Sequence, residues 1–552
     1  MIKPIKVKAL PSPHIKKLSG LLSQARMLVD NDMLMQAIEI YRSILKVDPS
    51  CLEALHILGS LEFHFKNFQS ALSLLRRAVN IQPKNFQLQL LTGKCAKQLR
   101  QFELAKMSFN LAQKIDPNSA ETYVELGLLH FSMGNLSDAI ESLQNALEID
   151  SKYYDAWNNL GVIQKENGDF EKSLYSYGQA IEVDSYNPNA FANRGVLKHM
   201  LGLFDDALSD LNQAIQLAPN TASYHLSLGQ LLLTLGEYEQ GWQEFEQRWQ
   251  YLSDNQVNVS RYKNFPLWTG RESLIGKRIL LYAEQGLGDT LQFCRYINLV
   301  ALLGGEVIFE CEAPLVELFR NLDGPRHLIV QGAPGNQKEA LPEFDFQCPL
   351  MSLPRVFRTT LDSIPNAVPY IFASPNKVRD WEIRLGAKHR PRVGLVWSGG
   401  LRPGQPELWS VNKRRNIALS TLATLRDVPV DFVSLQKGDF AEAELTELVN
   451  SNWDGPSLIN HVAQLQDFSD TAALIANLDL VISVDTSTAH LSAALGKPTW
   501  ILNRFDTCWR WLINREDSPW YPSVRLYRQS ELNLWEPVVD QLRTDLLQFC
   551  AN

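Results

Sequence analysis

The chain has 552 residues, of which 45% are hydrophobic and 21% are charged. This composition is typical of soluble globular proteins, and the length predicts several domains. The formal net charge of −8 argues against nucleic acid or an anionic membrane surface as the main partner. No apolar run reaches the roughly 18 residues of a membrane span. The seven cysteines form no CxxC pair, which favours neither a zinc site nor a disulfide framework.

The N-terminal segment "MIKPIKVKALPSPHIKKL" contains lysines but no apolar segment of the length expected of a signal peptide. We therefore expect a cytoplasmic protein. Residues 1–19 are expected to be an N-terminal tail that precedes the first domain.

Residues 20–250 repeat with a period of 34. Alanine, a large residue and proline recur at fixed offsets from a glycine that stands at Gly59, Gly93, Gly127, Gly161, Gly195 and Gly229. Small residues allow two helices to approach closely, and we expect the large residue to fill the gap between helix pairs. Proline marks the point where one helix stops and the next begins. The pattern resembles the tetratricopeptide repeat and predicts an α-solenoid whose concave face binds other proteins.

After residue 275 the hydrophobic pattern predicts alternating strands and helices. Two such series, separated near 370–390, predict two doubly wound α/β domains with a cleft between them. The strands are expected at 277–284, 305–312, 391–400, 430–438, 479–485 and 498–503. We assign a linker to 251–275 and the two domains to 276–372 and 373–552.

A polar cluster follows one of the predicted buried strands, at Asp485, Thr486, Ser487 and Thr488, with His490 two residues further on. A helix beginning here would present unpaired N–H groups, and the hydroxyls would add donors. Together they predict a phosphate cradle. The alternative is a simple N-cap by Asp485 or Thr486. His490 is either a phosphate ligand or a helix-packing residue.

Three further signals fall near predicted strand ends. In "AEQGLGDTLQ", Gly286 and Gly288 permit a tight turn and close approach of a ligand, and Asp289 follows them. The segment "VNKRRNIAL" contains Lys413, Arg414 and Arg415, which are either ligand-binding or a solvated basic patch. Gln436 and Lys437 follow the strand at 430–438 and are expected to face the same cleft, although such a lysine is more often simply exposed.

Together these motifs resemble the heptosyltransferase-like glycosyltransferases of the GT-B fold. The "LGD" loop of that family corresponds to Leu287-Gly288-Asp289, and its basic segment corresponds to Lys413–Arg415. Its donor-phosphate motif, Asp-Thr-Gly-x-x-His, corresponds to Asp485–His490, with Ser487 in place of the glycine. The resemblance implies an inverting enzyme with a nucleotide-sugar donor as co-substrate and no further cofactor. It implies Asp289 as the catalytic base in an acceptor-side domain, and donor phosphates held in the second domain.

The layout of repeats followed by this domain resembles bacterial repeat-containing glycosyltransferases, some of which modify flagellin. Asn159 and Asn193 lie two residues before the repeat glycine. In the similar protein O-linked N-acetylglucosamine transferases, asparagines at this position of the repeat hold the substrate backbone. The alternative is that the two asparagines are ordinary polar residues on an exposed helix. We expect the acceptor to be a protein bound by the array. No Asp-x-Asp pair follows residue 260, which indicates that no metal ion holds the diphosphate.

The segment 506–520 is rich in charges and tryptophans. Asp506, Arg510, Arg515, Glu516 and Asp517 are candidates to position the sugar, and no spacing argument selects one of them. Trp509, Trp511 and Trp520 form either a nucleobase platform or a packing cluster, and packing is the more common role.

Two other classes of function remain open. A non-catalytic interaction scaffold would retain the array with a degenerate α/β half, and Ser487 favours it slightly. A nucleotide-sugar epimerase shares the same two-domain fold, although a protein-binding array has little use in a small-molecule isomerase.

Overall fold

The computed structural model describes residues 13–254, 262, 264–332, 342–400, 409–450 and 454–551. The chain divides into two compact units, 1–194 and 195–552. Within the described ranges, no helix is both long and apolar enough to span a bilayer.

The first unit is built from antiparallel helix pairs. Their bounds are α1 (Pro13–Asp30), α2 (Leu34–Val47), α3 (Leu52–His64), α4 (Phe68–Ile81), α5 (Phe86–Gln98), α6 (Phe102–Ile115), α7 (Ala120–Ser132), α8 (Leu136–Ile149), α9 (Tyr154–Asn167), α10 (Phe170–Val183) and the beginning of α11 (Pro188–Met200). Helix α1 begins at Pro13, so part of the segment expected to be a tail is helical.

The repeat glycine is required by the approach of the two helices in one pair. A Cβ atom built on Gly93 in α5 would lie 2.4 Å from Cε1 of Phe109 in α6. Gly161 and Tyr177 show the same relation across α9 and α10. The predicted α-solenoid is therefore confirmed. The expected position of the large residue was wrong, because it fills the gap within a helix pair, where the missing glycine side chain leaves room.

The second unit begins with the last repeat helices and continues into a first sheet. The helices are the end of α11, then α12 (Phe204–Leu217), α13 (Ala222–Leu235), α14 (Tyr238–Phe245) and α15 (Arg248–Asp254). The first sheet contains β1 (Arg278–Tyr282), β2 (Glu306–Cys311), β3 (Pro325–Val330) and β4 (Phe346–Pro349), all parallel, in the order β3-β2-β1-β4. Its helices are α16 (Leu287–Phe293), α17 (Ile297–Leu302), α18 (Val316–Phe319) and α19 (Leu353–Val356).

The second sheet is also parallel, in the order β10-β9-β8-β5-β6-β7. Its strands are β5 (Arg392–Val396), β6 (Asp431–Ser434), β7 (Leu458–Asn460), β8 (Leu480–Val484), β9 (Thr499–Asn503) and β10 (Val524–Arg528). Its helices are α20 (Pro375–Leu385), α21 (Trp409–Arg415), α22 (Asp439–Asn450), α23 (Phe468–Ala476), α24 (Ser487–Ala494) and α25 (Glu536–Ala551). Strands β5 and β8 are fully buried, as the continuous apolar runs predicted.

Several elements differ from the predictions. Strands β3, β4, β7 and β10 were not predicted. Strand β3 is half exposed, and β4 and β7 are short, so none of these three carries a long apolar run. Between β1 and β2 the chain forms α16, a 3₁₀ turn and α17 in place of one continuous helix. Helix α16 begins at Leu287, which places Gly288 and Asp289 in its first turn. The predicted linker is anchored, since Trp268 is buried and Leu267 pairs with Gln347 of β4.

An aromatic cluster joins the last repeat pair to both sheets' helices and loops. Trp242 of α14 packs edge-on against Trp509 at a centroid distance of 5.3 Å, and it also contacts Phe293 and Trp520. The indole N–H of Trp520 donates to the Tyr238 hydroxyl over 3.0 Å. Trp509, Trp511 and Trp520 are at most 6% exposed. Of the two roles considered for these tryptophans, the structure favours packing.

Candidate functional site

Two of the predicted motifs meet where the sheets' strand orders reverse. The motif at 286–289 follows β1, which lies between β2 and β4, and the motif at 485–490 follows β8, which lies between β5 and β9. Both strands lie where the strand order of their sheet reverses. Such a topological switch point is the usual ligand position in parallel sheets. Helix α16 follows β1, and α24 follows β8. A Cβ atom on Gly288 would lie 3.1 Å from Cδ2 of His490 and 3.5 Å from the Cα of Ser487. The first turns of α16 and α24 are therefore in direct contact.

Asp289 is held from both sides. Its Oδ2 accepts the backbone N–H of Gly286 over 2.9 Å, closing the first turn of α16. Its Oδ1 accepts a hydrogen bond from the Arg510 guanidinium, which lies in the loop after β9. Both side chains are largely buried, at 18% and 12% exposure. Of the five charged candidates at 506–517, Arg510 is the one shown to contact Asp289.

His490 lies in a buried aromatic pocket. Its Nδ1 is hydrogen-bonded to the Tyr521 hydroxyl at 2.9 Å, and its ring stacks on Trp511 at 5.2 Å. Its Nε2 is 3.8 Å from Oδ1 of Asp485. Burial lowers the pKa of His490 to about 4, although the Asp485 charge acts in the opposite direction. The imidazole is therefore neutral at pH 7 and serves both packing and hydrogen bonding.

The hydroxyl cluster forms the start of α24. Thr486 is the N-cap residue by backbone geometry, but its side chain makes no capping hydrogen bond; its Oγ1 lies 3.0 Å from the Ser483 hydroxyl. Ser487 and Thr488 are half-buried. The side chain of Thr486 therefore makes no capping hydrogen bond to the first turn of α24.

The basic segment ends α21, and its members differ. Lys413 is exposed. Arg414 forms an ion pair with Asp506, with 3.0 Å between Nε and Oδ2. Arg415 lies between the end of β8 and the end of β5. Its Nη1 donates to the carbonyl of Asp485, after β8, over 3.3 Å, and its Nη2 lies where a Cβ atom on Gly399, after β5, would be. Of the three, Arg415 is the one that contacts the 485–490 motif.

Gln436 and Lys437 follow β6, away from α16. Gln436 is buried, and its Oε1 accepts the N–H groups of Trp397 and Ser398 over 3.1 and 2.8 Å. It shapes the loop after β5. Lys437 is exposed, and its Nζ donates to the Leu465 carbonyl.

The asparagines of the array lie in the first unit. Asn159 and Asn193 are both half-buried. The amide of Asn193 donates to Oδ1 of Asn158, the residue before Asn159, over 3.0 Å, so Asn193 contacts the preceding repeat one position away from Asn159.

Sequence reasoning missed one support of the site. Arg295, after α16, donates to the Trp520 carbonyl over 2.6 Å and to the Tyr370 hydroxyl over 2.8 Å. Its guanidinium lies 4.5 Å from the ring centre of Tyr521, which in turn bonds His490. A lone arginine in an apolar helical segment carried no local signal of this role.

Comparison with known families agrees with the two halves of the chain. Residues 22–86, 87–119 and 201–256 match families described as Tetratricopeptide repeat, and residues 127–168 and 165–202 match one described as TPR repeat. Residues 432–502 match Glycosyltransferase family 9 (heptosyltransferase); this range includes the 485–490 motif. The chain is therefore similar to tetratricopeptide repeat proteins in its first half and, over residues 432–502, to a glycosyltransferase family.

The chain is also similar to several individual proteins. The chain is 29% identical over 350 residues to Protein FlbA of Caulobacter vibrioides, a match that covers 58% of this chain and 54% of FlbA. The chain thus spans about half the length of this relative. A tetratricopeptide repeat protein from Parabacteroides merdae is 19% identical, with a TM-score of 0.39 over 45% of this chain and 95% of that one. MamA from Desulfovibrio magneticus RS-1 is 17% identical, with a TM-score of 0.29 over 31% of this chain and 96% of MamA.

Proposed function

We propose that residues 276–552 form a GT-B glycosyltransferase that moves a sugar from a nucleotide-sugar donor to an acceptor. The observation that carries this proposal is the contact between the first turns of α16 and α24, which brings the carboxylate of Asp289 beside the 485–490 motif. A candidate base and a candidate phosphate cradle, contributed by the two different sheets, then share one site. The match of residues 432–502 to a glycosyltransferase family supports the same class of reaction.

Glycosyl transfer passes through an oxocarbenium-like state in which the departing nucleotide phosphate gains negative charge. The first turn of α24, with the hydroxyls of Thr486 and Thr488, offers fixed donors for that charge. Arg415 adds a positive charge next to Asp485, and Lys413 is exposed near it on the same helix. Fixed donors around a developing charge are commonly the largest catalytic contribution, and loss of one costs about 10²–10³ in rate.

Asp289 is the proposed general base for the acceptor hydroxyl. It is one carboxylate opposite the phosphate cradle, and a single base of this kind suits direct displacement with inversion at the sugar carbon. We further propose that basic side chains and the α24 first turn hold the diphosphate without a divalent metal ion.

The acceptor is proposed to be a protein held by the repeat array, since stacked helical repeats commonly bind polypeptides. Asn159 and Asn193 are the proposed contacts to its backbone.

The proposal is tested by donor hydrolysis and transfer assays with a panel of UDP-, GDP-, CDP- and ADP-sugars. Asp289→Asn is expected to abolish transfer while retaining donor binding, and Arg415→Met is expected to weaken donor binding. Arg426→Met, which removes an exposed ion pair with Asp454, is the matched control in the same sheet's region. EDTA is expected to leave activity unchanged. Full turnover by Asp289→Asn would refute the assignment of the base.

A non-catalytic scaffold is the second candidate, favoured by Ser487 where the resembling family has glycine. A donor held at 100 times its dissociation constant stabilises a folded protein by about 2.7 kcal/mol. A thermal shift with one nucleotide of the panel supports the enzyme, whereas no shift with any of them supports the scaffold. Mass spectrometry of cell proteins with and without the gene then identifies the modified acceptor.

A further inference from the structure

Both carboxylate oxygens of the proposed base accept a hydrogen bond. The two oxygens of Asp289 accept from the Gly286 N–H and from the Arg510 guanidinium. The carboxylate oxygen that would take a proton from an acceptor hydroxyl is therefore occupied by an arginine contributed by the other sheet's loop. Under the proposed function, departure of Arg510 would open this oxygen fully to the acceptor hydroxyl.

Arg510 is well placed to leave Asp289 for another anion. Its Nη1 contacts the Cys508 sulfur at 3.0 Å, and its guanidinium lies 4.1 Å from the ring centre of Trp509. Its Nε is buried without a hydrogen-bond partner among the described residues. Burial acts to lower the pKa of Arg510, but Asp289, Cys508 and Asp485 together raise it. Arg510 thus interacts with carboxylates on both sides of the site and keeps one donor unused.

We propose that Arg510 is an exchangeable counter-ion, paired with Asp289 in this structure and transferred to the diphosphate of the donor when it binds. This inference rests on the proposed function. A guanidinium binds phosphate oxygens in the same forked geometry as carboxylate oxygens. A diphosphate at the first turn of α24 would carry more negative charge than Asp289 and would lie beside Asp485, whose charge already acts on Arg510.

The exchange has a functional consequence. When a bound donor takes up Arg510, that oxygen of Asp289 is exposed to the acceptor hydroxyl, so donor binding prepares the base for the acceptor. Arg510 would then stabilise the charge on the departing phosphate. It is a donor-binding residue as well as a positioning residue for the base.

The test is calorimetric titration of the full-length chain with UDP, GDP, CDP and ADP. Arg510→Gln is expected to bind the preferred nucleotide about 10- to 100-fold more weakly, because a charge-assisted hydrogen bond contributes about 1.5–3 kcal/mol. Asp289→Asn is expected to bind it more tightly than the wild type. Asparagine keeps an oxygen for the Gly286 N–H and releases Arg510, and a merely structural role for the ion pair would not produce this opposite sign.

Arg426→Gln is the matched control, since Arg426 pairs with Asp454 at the surface at 48% exposure, and it is expected to bind like the wild type. Arg510→Lys retains the charge and should recover part of the affinity, which separates charge from packing around Trp509. Wild-type affinity in Arg510→Gln, or unchanged or weaker affinity in Asp289→Asn, overturns the exchange while the proposed function stands. Failure of the wild type to bind any of the four nucleotides overturns the proposed function and this inference together.

Discussion

The most stringent prediction concerns Arg248, which follows the last repeat pair and is 2% exposed. Its Nε and Nη2 donate to the Glu284 carboxylate over 2.9 Å each, and Nη2 also reaches the Ser352 hydroxyl over 2.8 Å. Its Nη1 donates to Glu246 over 2.5 Å. This ion-pair network ties α15 to the loop after β1 and to the segment after β4.

Arg248→Met removes every charged partner of Glu284 in this network while keeping an apolar side chain of similar length. Burial raises the pKa of Glu284 although Arg248 opposes the shift, so the carboxylate depends on the guanidinium for its charge. In the variant, Glu284 retains the Met351 N–H at 3.0 Å. Breaking a buried ion pair on one side costs about 3–5 kcal/mol, because a charge is left uncompensated. We expect a loss of that size in the free energy of unfolding.

Urea unfolding followed by tryptophan fluorescence measures this loss in the right part of the molecule. The chain has 13 tryptophans, and Trp157 is the one that precedes residue 195, so the signal reports almost entirely on the second unit. Arg278→Met is the matched control: its ion pair with Glu343 is exposed at 43% and 86%, and surface pairs contribute about 0–1 kcal/mol.

The double variant Arg248→Met/Glu284→Gln separates charge from packing. It removes the uncompensated carboxylate and is expected to recover much of the stability lost by Arg248→Met alone. A cost for Arg248→Met no larger than that of Arg278→Met would refute the buried-network account.

Three further predictions follow from single side chains. Gly93→Ala should destabilise the first unit by about 1–3 kcal/mol, because the added methyl group would overlap Phe109. Gly178→Ala should stabilise the same unit by about 0.5–1 kcal/mol, because Gly178 lies in α10 and its added methyl group would meet nothing within 4 Å. The melting temperatures of the two variants, measured by circular dichroism, should shift in opposite directions. Trp242→Ala should destabilise the second unit by about 3–5 kcal/mol, measured by urea unfolding, with an unchanged midpoint contradicting the aromatic cluster. The pKa of His490 is lowered to about 4, so the neutral imidazole stabilises the fold fully above pH 6.5, and this contribution is lost as pH falls from 6.5 towards 4 because the unfolded chain protonates first. His490→Asn should therefore make the melting temperature less dependent on pH across this window. A melting temperature that changes with pH as steeply as in the wild type would contradict this.

The sequence by itself determined the repeat architecture and the position of the two motifs along the chain. A helix pair is a local unit, so the contact between Gly93 and Phe109 recurs at a fixed spacing and leaves a visible period. The strands β1 and β8 are buried on both faces, so their continuous apolar runs and the polar residues that end them could be read directly. Strand β3 is half exposed and β7 is short, and strands of either kind carry no comparable signal.

The tertiary structure alone decided which side chains accompany those motifs. Arg510 pairs with Asp289 across 221 residues, and Arg295 reaches Trp520 across 225. These contacts depend on how the ends of two separate parallel sheets are packed, and packing between distant segments imposes no period and no local spacing on the chain. For the same reason Gln436, which the sequence places at a strand end like Asp485, turns inward and supports the loop after β5. Position along a strand is encoded locally, whereas the direction and partners of a side chain at its end are set by neighbours remote in sequence.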